Sequence, residues 1–345
     1  MKQINGNKSV LLIAIGLLGV GCSSKSPIRD STVYGKKPLI VCKETHTYKQ
    51  VGDLDIKADV YRFLDDKIRP AVVFIHGGDL IHGDRTAANF FGPVYETSIN
   101  SGNVLISIDY RLAPQTKLPE IVRDVEDAID WVRRVGPKRF DVDPNQVVVM
   151  GSSSGAYLAL VSGYRVTPPP KAIVSFAGSG DLVGDWHNTP LIDLKNQTRI
   201  YSKKEALESL DIEGPPVACR PWRICAPYVY YLEQNGLLVR AFSDWDPKVE
   251  PEKFFPYMPL KNVSPSFPPT VLLHGDADNL VPFEQAVMMA KELEKHNVPH
   301  ELIKVKGGNH GLTNLKPEDI AGSYDRTVEF VMERLTNLDP NLNPD

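Results

Sequence analysis

Four cysteines in 345 residues are too few to staple a fold together, so a hydrophobic core must hold this chain. Cys22, Cys42, Cys219 and Cys225 also lack the paired spacing with histidine that a zinc site needs, and no metal is expected. Neither sign of charge dominates: 39 Lys and Arg stand against 43 Asp and Glu, with no long basic run. That balance removes the electrostatic footprint of a nucleic-acid binder. Long apolar runs are missing too. The stretch from Val10 to Val20 falls well short of the roughly 20 residues that a mature transmembrane helix requires. What remains is a chain with 42% hydrophobic residues, enough for a large core in one big or two ordinary domains.

Lys2 and Lys8 precede the apolar stretch, as in a secretory signal peptide, here over residues 1–21. The stretch ends Leu17-Leu18-Gly19-Val20-Gly21-Cys22-Ser23-Ser24. Small residues before a cysteine resemble a bacterial lipobox, with Gly19 where leucine is usual. The resemblance implies lipidation of Cys22 and an exported lipoprotein anchored to the cell-envelope membrane, on its periplasmic or outer-membrane face. A plain cleaved signal peptide is the alternative. Loss of Lys2 and Lys8 takes the net charge from -4 to about -6. Residues 22–44, rich in Ser, Pro, Lys and Gly, read as a tether. In an oxidising compartment Cys42, Cys219 and Cys225 predict one disulfide and one buried thiol. Cys219 and Cys225 would close a local loop, but the sequence leaves the pairing open.

The chain is organised around Val147-Val148-Val149-Met150-Gly151-Ser152-Ser153-Ser154-Gly155-Ala156. A β-branched run enters Gly-x-Ser-x-Gly and leaves it with Ala, Leu and Tyr at helical spacing. This is the pattern of a nucleophile elbow, a strand-to-helix turn tight enough to need small residues two places either side of the serine. It predicts a strained Ser153 whose hydroxyl stands above the strand end, with the Ser154 N–H aimed at the same space.

Upstream, alternating segments between Thr45 and Phe63 predict an antiparallel pair, with Leu54, Ile56, Ala58 and Val60 on one face. Ala71 to Ile75 reads as a strand buried on both faces, and it runs into His76-Gly77-Gly78-Asp79. A glycine pair there lets backbone N–H groups approach a substrate. Val104 to Ile108 predicts another strand, followed by Asp109-Tyr110-Arg111-Leu112-Ala113-Pro114. Asp109 and Arg111 read as a structural ion pair or loop anchor. Val125, Ala128, Ile129 and Val132 then trace the apolar stripe of a helix.

The His-Gly-Gly turn, Asp-Tyr-Arg-Leu-Ala-Pro and Gly-x-Ser-x-Gly, in this order, resemble the α/β-hydrolases of the hormone-sensitive-lipase-like esterase branch. The likeness covers about residues 71–160 and resumes from residue 267 to the end. Gly-Ser-Ser-Ser-Gly departs from the branch's usual Asp-Ser-Ala-Gly-Gly and is nearer to some feruloyl and acetyl esterases that act on polysaccharides. The resemblance implies an α/β-hydrolase fold: a mostly parallel central sheet flanked by helices. It further implies an oxyanion hole from Ser154 and the Gly77–Gly78 turn. Asp79 stands where a third glycine is common, and its N–H is another candidate donor.

After a strand at Ala172 to Phe176 the alternation stops. From about Asp181 to Met258 prolines and aromatics crowd together, too long for an ordinary connection, which predicts a lid inserted after the sixth strand. Its aromatics, Trp186, Trp222, Tyr228, Tyr230 and Trp245 among them, either line a substrate pocket or form the lid's own small core. Val271-Leu272-Leu273-His274-Gly275-Asp276-Ala277-Asp278 restores the pattern. By resemblance to the family form His-Gly-x-x-Asp-x-x-Val-Pro the acid is Asp278, with Asp276 as the alternative. His310 lies in Lys306-Gly307-Gly308-Asn309-His310-Gly311 after the last strand, where a flexible loop carries its imidazole to the serine. His46, His187, His296 and His300 read as surface or loop residues, and His82 and His274 sit in turns without that placement. His76 orders its own loop.

The hydrolase domain is therefore expected over residues 45–335, with a tail at 336–345. Ser153, Asp278 and His310 follow the serine–acid–histidine order of α/β-hydrolases. They imply a carboxylic ester hydrolase working through an acyl-enzyme and needing no cofactor, with a small-molecule or glycan-linked ester, acetyl or feruloyl, as substrate. A prolyl-oligopeptidase-type serine peptidase shares the motifs but normally carries a propeller that is absent here. A catalytically dead hydrolase-fold binding protein is the reading from another class. The sequence carries no signal for oligomeric state.

Overall fold

The computed structural model describes residues 26–28, 41–90, 97–190 and 199–335. The expected signal peptide, Cys22 and the 336–345 tail lie outside the described residues. Among the described residues nine strands form one sheet: β1 (Ser26–Ile28), β2 (Val41–Val51), β3 (Leu54–Phe63), β4 (Arg69–Ile75), β5 (Val104–Ile108), β6 (Val142–Ser152), β7 (Ala172–Phe176), β8 (Thr270–Gly275) and β9 (His300–Val305). The order across it is β1-β2-β3-β5-β4-β6-β7-β8-β9. β1, β2, β3 and β5 pair antiparallel, and from β5 through β4 to β9 every pair is parallel. The mostly parallel sheet is as expected. The stretch expected as a tether differs: Ser26–Ile28 pairs with Val41–Lys43, so the sheet reaches into residues 22–44. The polar composition there hid an edge strand, which needs little apolar content because one side faces away from the ladder.

The parallel strands are continuously apolar because both faces are covered. Alternation still sorts them: Ala71, Val73 and Ile75 join one core cluster, whereas Val72 and Phe74 join the opposite one. The first cluster packs helices α1 (Leu118–Arg139) and α2 (Ser154–Arg165), including the stripe Val125, Ala128, Ile129 and Val132. The second is closed by the C-terminal helix through Phe330, Val331 and Leu335.

Between β7 and β8 the chain leaves the sheet. It forms α3 (Asp185–Asn188), α4 (Lys203–Ser209), α5 (Trp222–Gln234), α6 (Leu238–Ser243), a 3-10 segment (Pro251–Tyr257) and α7 (Pro259–Asn262). After β8 come α8 (Glu284–Lys295) and, after β9, α9 (Pro317–Leu335). The strand before the excursion, sixth by sequence, is seventh once β1 is counted. The excursion has its own packing: Trp245 meets Phe254 edge-on at 5.3 Å. It is also tied to the loop after β4. Gly83 and Arg220 exchange backbone hydrogen bonds, and the buried Arg220 guanidinium donates to the carbonyls of Ile81 and Ala113 and to Gln115 Oε1.

Asp109 and Arg111 do anchor loops, but not through each other. Asp109 takes Arg85, Nη1 to Oδ2 at 2.7 Å, and Arg111 forms a two-pronged pair with Asp124 on α1. Cys42, Cys219 and Cys225 are all free thiols, so the expected disulfide is not formed. Cys225 is turned into the core on α5 while Cys219 is exposed on the preceding loop and contacts Asp84.

Candidate active site

Ser153 sits between the end of β6 and the start of α2 with φ 53° and ψ -125°, outside the ordinary basins for a side-chain-bearing residue. Two close approaches hold it there. A Cβ on Gly151 would run into the Gly155 backbone, and one on Gly155 into the carbonyls of Ile75 and His76. The helix start therefore lies directly against the end of β4, from which the His76-Gly77-Gly78 turn departs. The Ser153 N–H is satisfied by Phe176 O at 2.8 Å.

Asp278 lies in the turn after β8, its side chain buried. His310 Nδ1 donates to Asp278 Oδ2 at 2.7 Å. His274, at the end of β8, places Nε2 3.1 Å from the same oxygen and 2.9 Å from Val281 O. Because a carbonyl only accepts, that Nε2 carries a proton. The other carboxylate oxygen, Oδ1, accepts the N–H groups of Leu280 and Val281 at 2.9 and 3.0 Å. Burial alone would raise the Asp278 carboxyl. The hydrogen bonds of His274 and His310, the charge of His310 and the Val281 N–H outweigh it and hold Asp278 well below the usual carboxylate range. Asp278 is thus an acceptor, Nδ1 is the protonated nitrogen of His310, and Nε2 is left as the basic one.

On the opposite wall, Gly78 has φ 116° and its Cα lies against His82 O, so no side chain fits. Gly78 O accepts Ile81 and His82 N–H at 2.8 and 2.9 Å, which closes the turn. Burial pushes His76 down to about 4, so it is neutral; Nδ1 donates to Gly77 O at 2.8 Å and its ring stacks on Tyr110 at 4.4 Å. It orders the turn, in keeping with its position.

These groups open on one cavity of about 630 Å³. Ser153, Ser154, Gly78, Asp79 and His310 line it, together with Trp186, His187, Trp222 and Tyr230 from the excursion. Of the three expected oxyanion residues, Gly78 and Ser154 are on the cavity wall. Gly77 instead backs Ser152 and Ser153. Asp276 points elsewhere, accepting Gly307 N–H and pairing with Lys304. Among the described residues no group of three or more His, Cys, Asp or Glu side chains is gathered to hold a metal.

Residues 58–197 match the BD-FAE family, and residues 230–337 match the Prolyl oligopeptidase family. Among solved structures, an α/β hydrolase superfamily protein from Enterococcus faecalis superposes with a TM-score of 0.65 at 20% identity, covering 84% of this chain and 98% of that one. A carbohydrate esterase from gut microbiota gives 0.59 at 20% identity, covering 85% and 96%. Esterase 2 of Thermogutta terrifontis gives 0.57 at 24% identity, covering 88% and 97%. The fold is that of the α/β-hydrolases. A non-reducing polyketide synthase of Preussia isomera is 26% identical over 342 residues, 85% of this chain but 13% of that protein. The chain spans 12 to 15% of the length of the polyketide synthases it matches.

Within this fold the contact that sequence reasoning missed is His274 on Asp278. The spacing His274-x-x-x-Asp278 was visible, but nothing in it says that a strand-end imidazole turns onto the acid rather than into solvent. His187, read as a loop residue, is part of the cavity wall. The aromatics fill the first role offered for them but not the second. Trp186, Trp222 and Tyr230 line the cavity, while Trp245, Tyr228 and Phe254 pack into the core cluster that the excursion shares with α1 and α2 rather than into a separate small core.

Proposed function

We propose that this chain is a serine carboxylic ester hydrolase. The observation that carries the proposal is an imidazole, fixed by a buried carboxylate, sharing one cavity with a strained elbow serine. His310 Nε2 takes the Ser153 proton as Oγ attacks the acyl carbonyl, and Asp278 stabilises the imidazolium that results. The N–H groups of Ser154 and Gly78, with Asp79 beside them, receive the oxyanion, each donor worth on the order of 3 kcal/mol. The C–O bond to the alcohol breaks, the alcohol leaves with the His310 proton, and an acyl-enzyme remains on Ser153. Water activated by His310 then attacks it and releases the acid.

The BD-FAE match and the aromatic cavity wall support acetyl or feruloyl esters of polysaccharides as substrates. The excursion between β7 and β8 acts as the lid that selects among them. The Prolyl oligopeptidase match over residues 230–337, which carry Asp278 and His310, supports a second reading, a serine peptidase. The test is turnover of p-nitrophenyl acetate, butyrate and ferulate beside a prolyl p-nitroanilide, for the wild type and Ser153→Ala. Ester turnover that vanishes in a folded Ser153→Ala supports the proposal; anilide turnover alone favours the peptidase. A function that survives Ser153→Ala would point to a binding protein.

The lipobox-like run before Cys22 further supports export and membrane anchoring through that residue. Metabolic labelling with an alkyne fatty acid should mark the full chain and lose the mark in Cys22→Ser; equal labelling of both would sink the anchor.

A further inference from the structure

The oxyanion turn carries a carboxylate where the chemistry disfavours one. Asp79 follows Gly78 on the cavity wall, and a negative charge there works against the developing oxyanion. The backbone is strained as well: φ is 55° at Asp79 and 61° at Leu80, two successive side-chain-bearing residues in the left-handed region. Glycine at position 79 would relieve both costs, and asparagine would tolerate the backbone without the charge.

The loop does not consume the carboxylate. The nearest imidazole nitrogen, His82 Nε2, is 3.8 Å away, and the Asp79 side chain keeps 32% of its surface open to the cavity. Burial would raise its pKa, but the His82 hydrogen bond and the His82 and His310 imidazoles outweigh that and hold it below the ordinary range. His187 does not cancel the charge, because burial lowers its own pKa to about 4. Among the described residues lining the cavity there is neither lysine nor arginine. Trp222 and Tyr230 meet edge-on at 5.2 Å on the same wall and offer aromatic faces to a sugar ring or a cation.

We infer that Asp79 is a specificity-determining residue: its carboxylate admits esters that bring a neutral or cationic hydrogen-bond donor into the cavity and turns away esters that bring a carboxylate. The inference rests on the ester-hydrolase reading above and names the charge class of its substrate. A unit charge about 10 Å away at an effective dielectric constant of about 20 biases turnover roughly tenfold.

The test compares kcat/KM for p-nitrophenyl butyrate and for mono-p-nitrophenyl succinate, which differ in acyl charge, in the wild type and Asp79→Asn. The ratio of the two ratios cancels the esters' intrinsic reactivity. Acetylthiocholine beside its uncharged 3,3-dimethylbutyl thioester analogue makes the same comparison for the alcohol side. Asp79→Asn should raise succinate relative to butyrate by about tenfold and lower the choline ester relative to its neutral analogue. Ratios unchanged within about twofold would overturn the inference, since a purely structural Asp79 lowers all esters together. Should Asp79→Asn lose all turnover, Asp79→Gly, free of the backbone strain, carries the comparison. Failure of the wild type to turn over butyrate would instead count against the esterase reading itself.

Discussion

Gly155 is where the elbow and the start of the proposed oxyanion turn touch, and replacing it by alanine tests whether that contact sets the site's geometry. The added Cβ would fall inside the backbone carbonyls of Ile75 and His76; even the carbonyl carbon of His76 would lie at 2.7 Å, under the 3.0 Å that real Cβ atoms respect. Neither partner is the flexible end of a side chain. The start of α2 and the end of β4 must therefore separate by several tenths of an ångström. That separation moves Ser153 and Ser154 away from Gly78, so the proposed nucleophile and the two sides of the proposed oxyanion hole fall out of register. A misplacement approaching 1 Å costs on the order of 100-fold in rate, about 2.7 kcal/mol of barrier. Overpacking costs a further 1 to 3 kcal/mol of stability, roughly, or about 2 to 10 °C in Tm for a domain of this size. The assay is kcat and KM on p-nitrophenyl butyrate with a thermal melt of the same sample. Gly322→Ala in α9, where nothing lies within 4 Å of the new Cβ, is the control and should leave kcat and Tm essentially as they were. Gly155→Ala with a wild-type kcat and a wild-type Tm would refute the reasoning.

Asp278→Asn should cost about 10³- to 10⁴-fold in kcat, because the amide no longer fixes the His310 tautomer, while KM moves little. In the wild type the depressed Asp278 pKa contributes stability that is fully present above the unfolded carboxylate value near 4 and lost as pH falls toward the folded value. Denaturant melts of the two proteins should therefore converge between about pH 5 and pH 2; a constant gap across that range would contradict the assignment. His274→Ala leaves the Asp278 carboxylate one hydrogen bond short and Val281 O unpaired. It should lose about 1 to 3 kcal/mol of stability and a larger share of kcat than of KM, read by steady-state kinetics beside a urea melt. Arg220→Met strands the carbonyls of Ile81 and Ala113. A loss of about 2 kcal/mol or more is expected, with kcat falling because the same loop carries Gly78; a Tm within 1 °C of wild type would dismiss the clamp.

How much of this was legible in the sequence follows from where each residue sits. Val147 to Met150 and Ala71 to Ile75 announced themselves because a strand covered on both faces must be apolar at every position. Gly151 and Gly155 were legible for the same kind of reason: the tight turn leaves no space for a side chain, so the requirement is local. His310 and the pair Asp276 and Asp278 could be located because each follows a readable strand, and the choice of Asp278 within the pair came from the resemblance to the family form. His274 could not, since a buried imidazole and a solvated one look alike in sequence. Ser26–Ile28 stayed hidden because an edge strand in a polar stretch has no periodicity to read. The excursion was legible in extent but not in shape: its helices are short, α5 even carries Pro227 inside, and the loop before α5 is tied through Val217 and Arg220 to Leu112 and Gly83, far away in sequence. The thiols failed for a similar reason. Cys225 is directed by the helix into the core, and six residues of sequence separation say nothing of that direction.

The central claim is that Ser153 is the nucleophile. Incubating the protein with a fluorophosphonate and measuring its intact mass, then mapping the modified peptide, tests that claim directly. A single adduct on Ser153, absent from a folded Ser153→Ala, is the predicted result. Ester turnover with no adduct, or an adduct on Ser152 or Ser154 in its place, would contradict it.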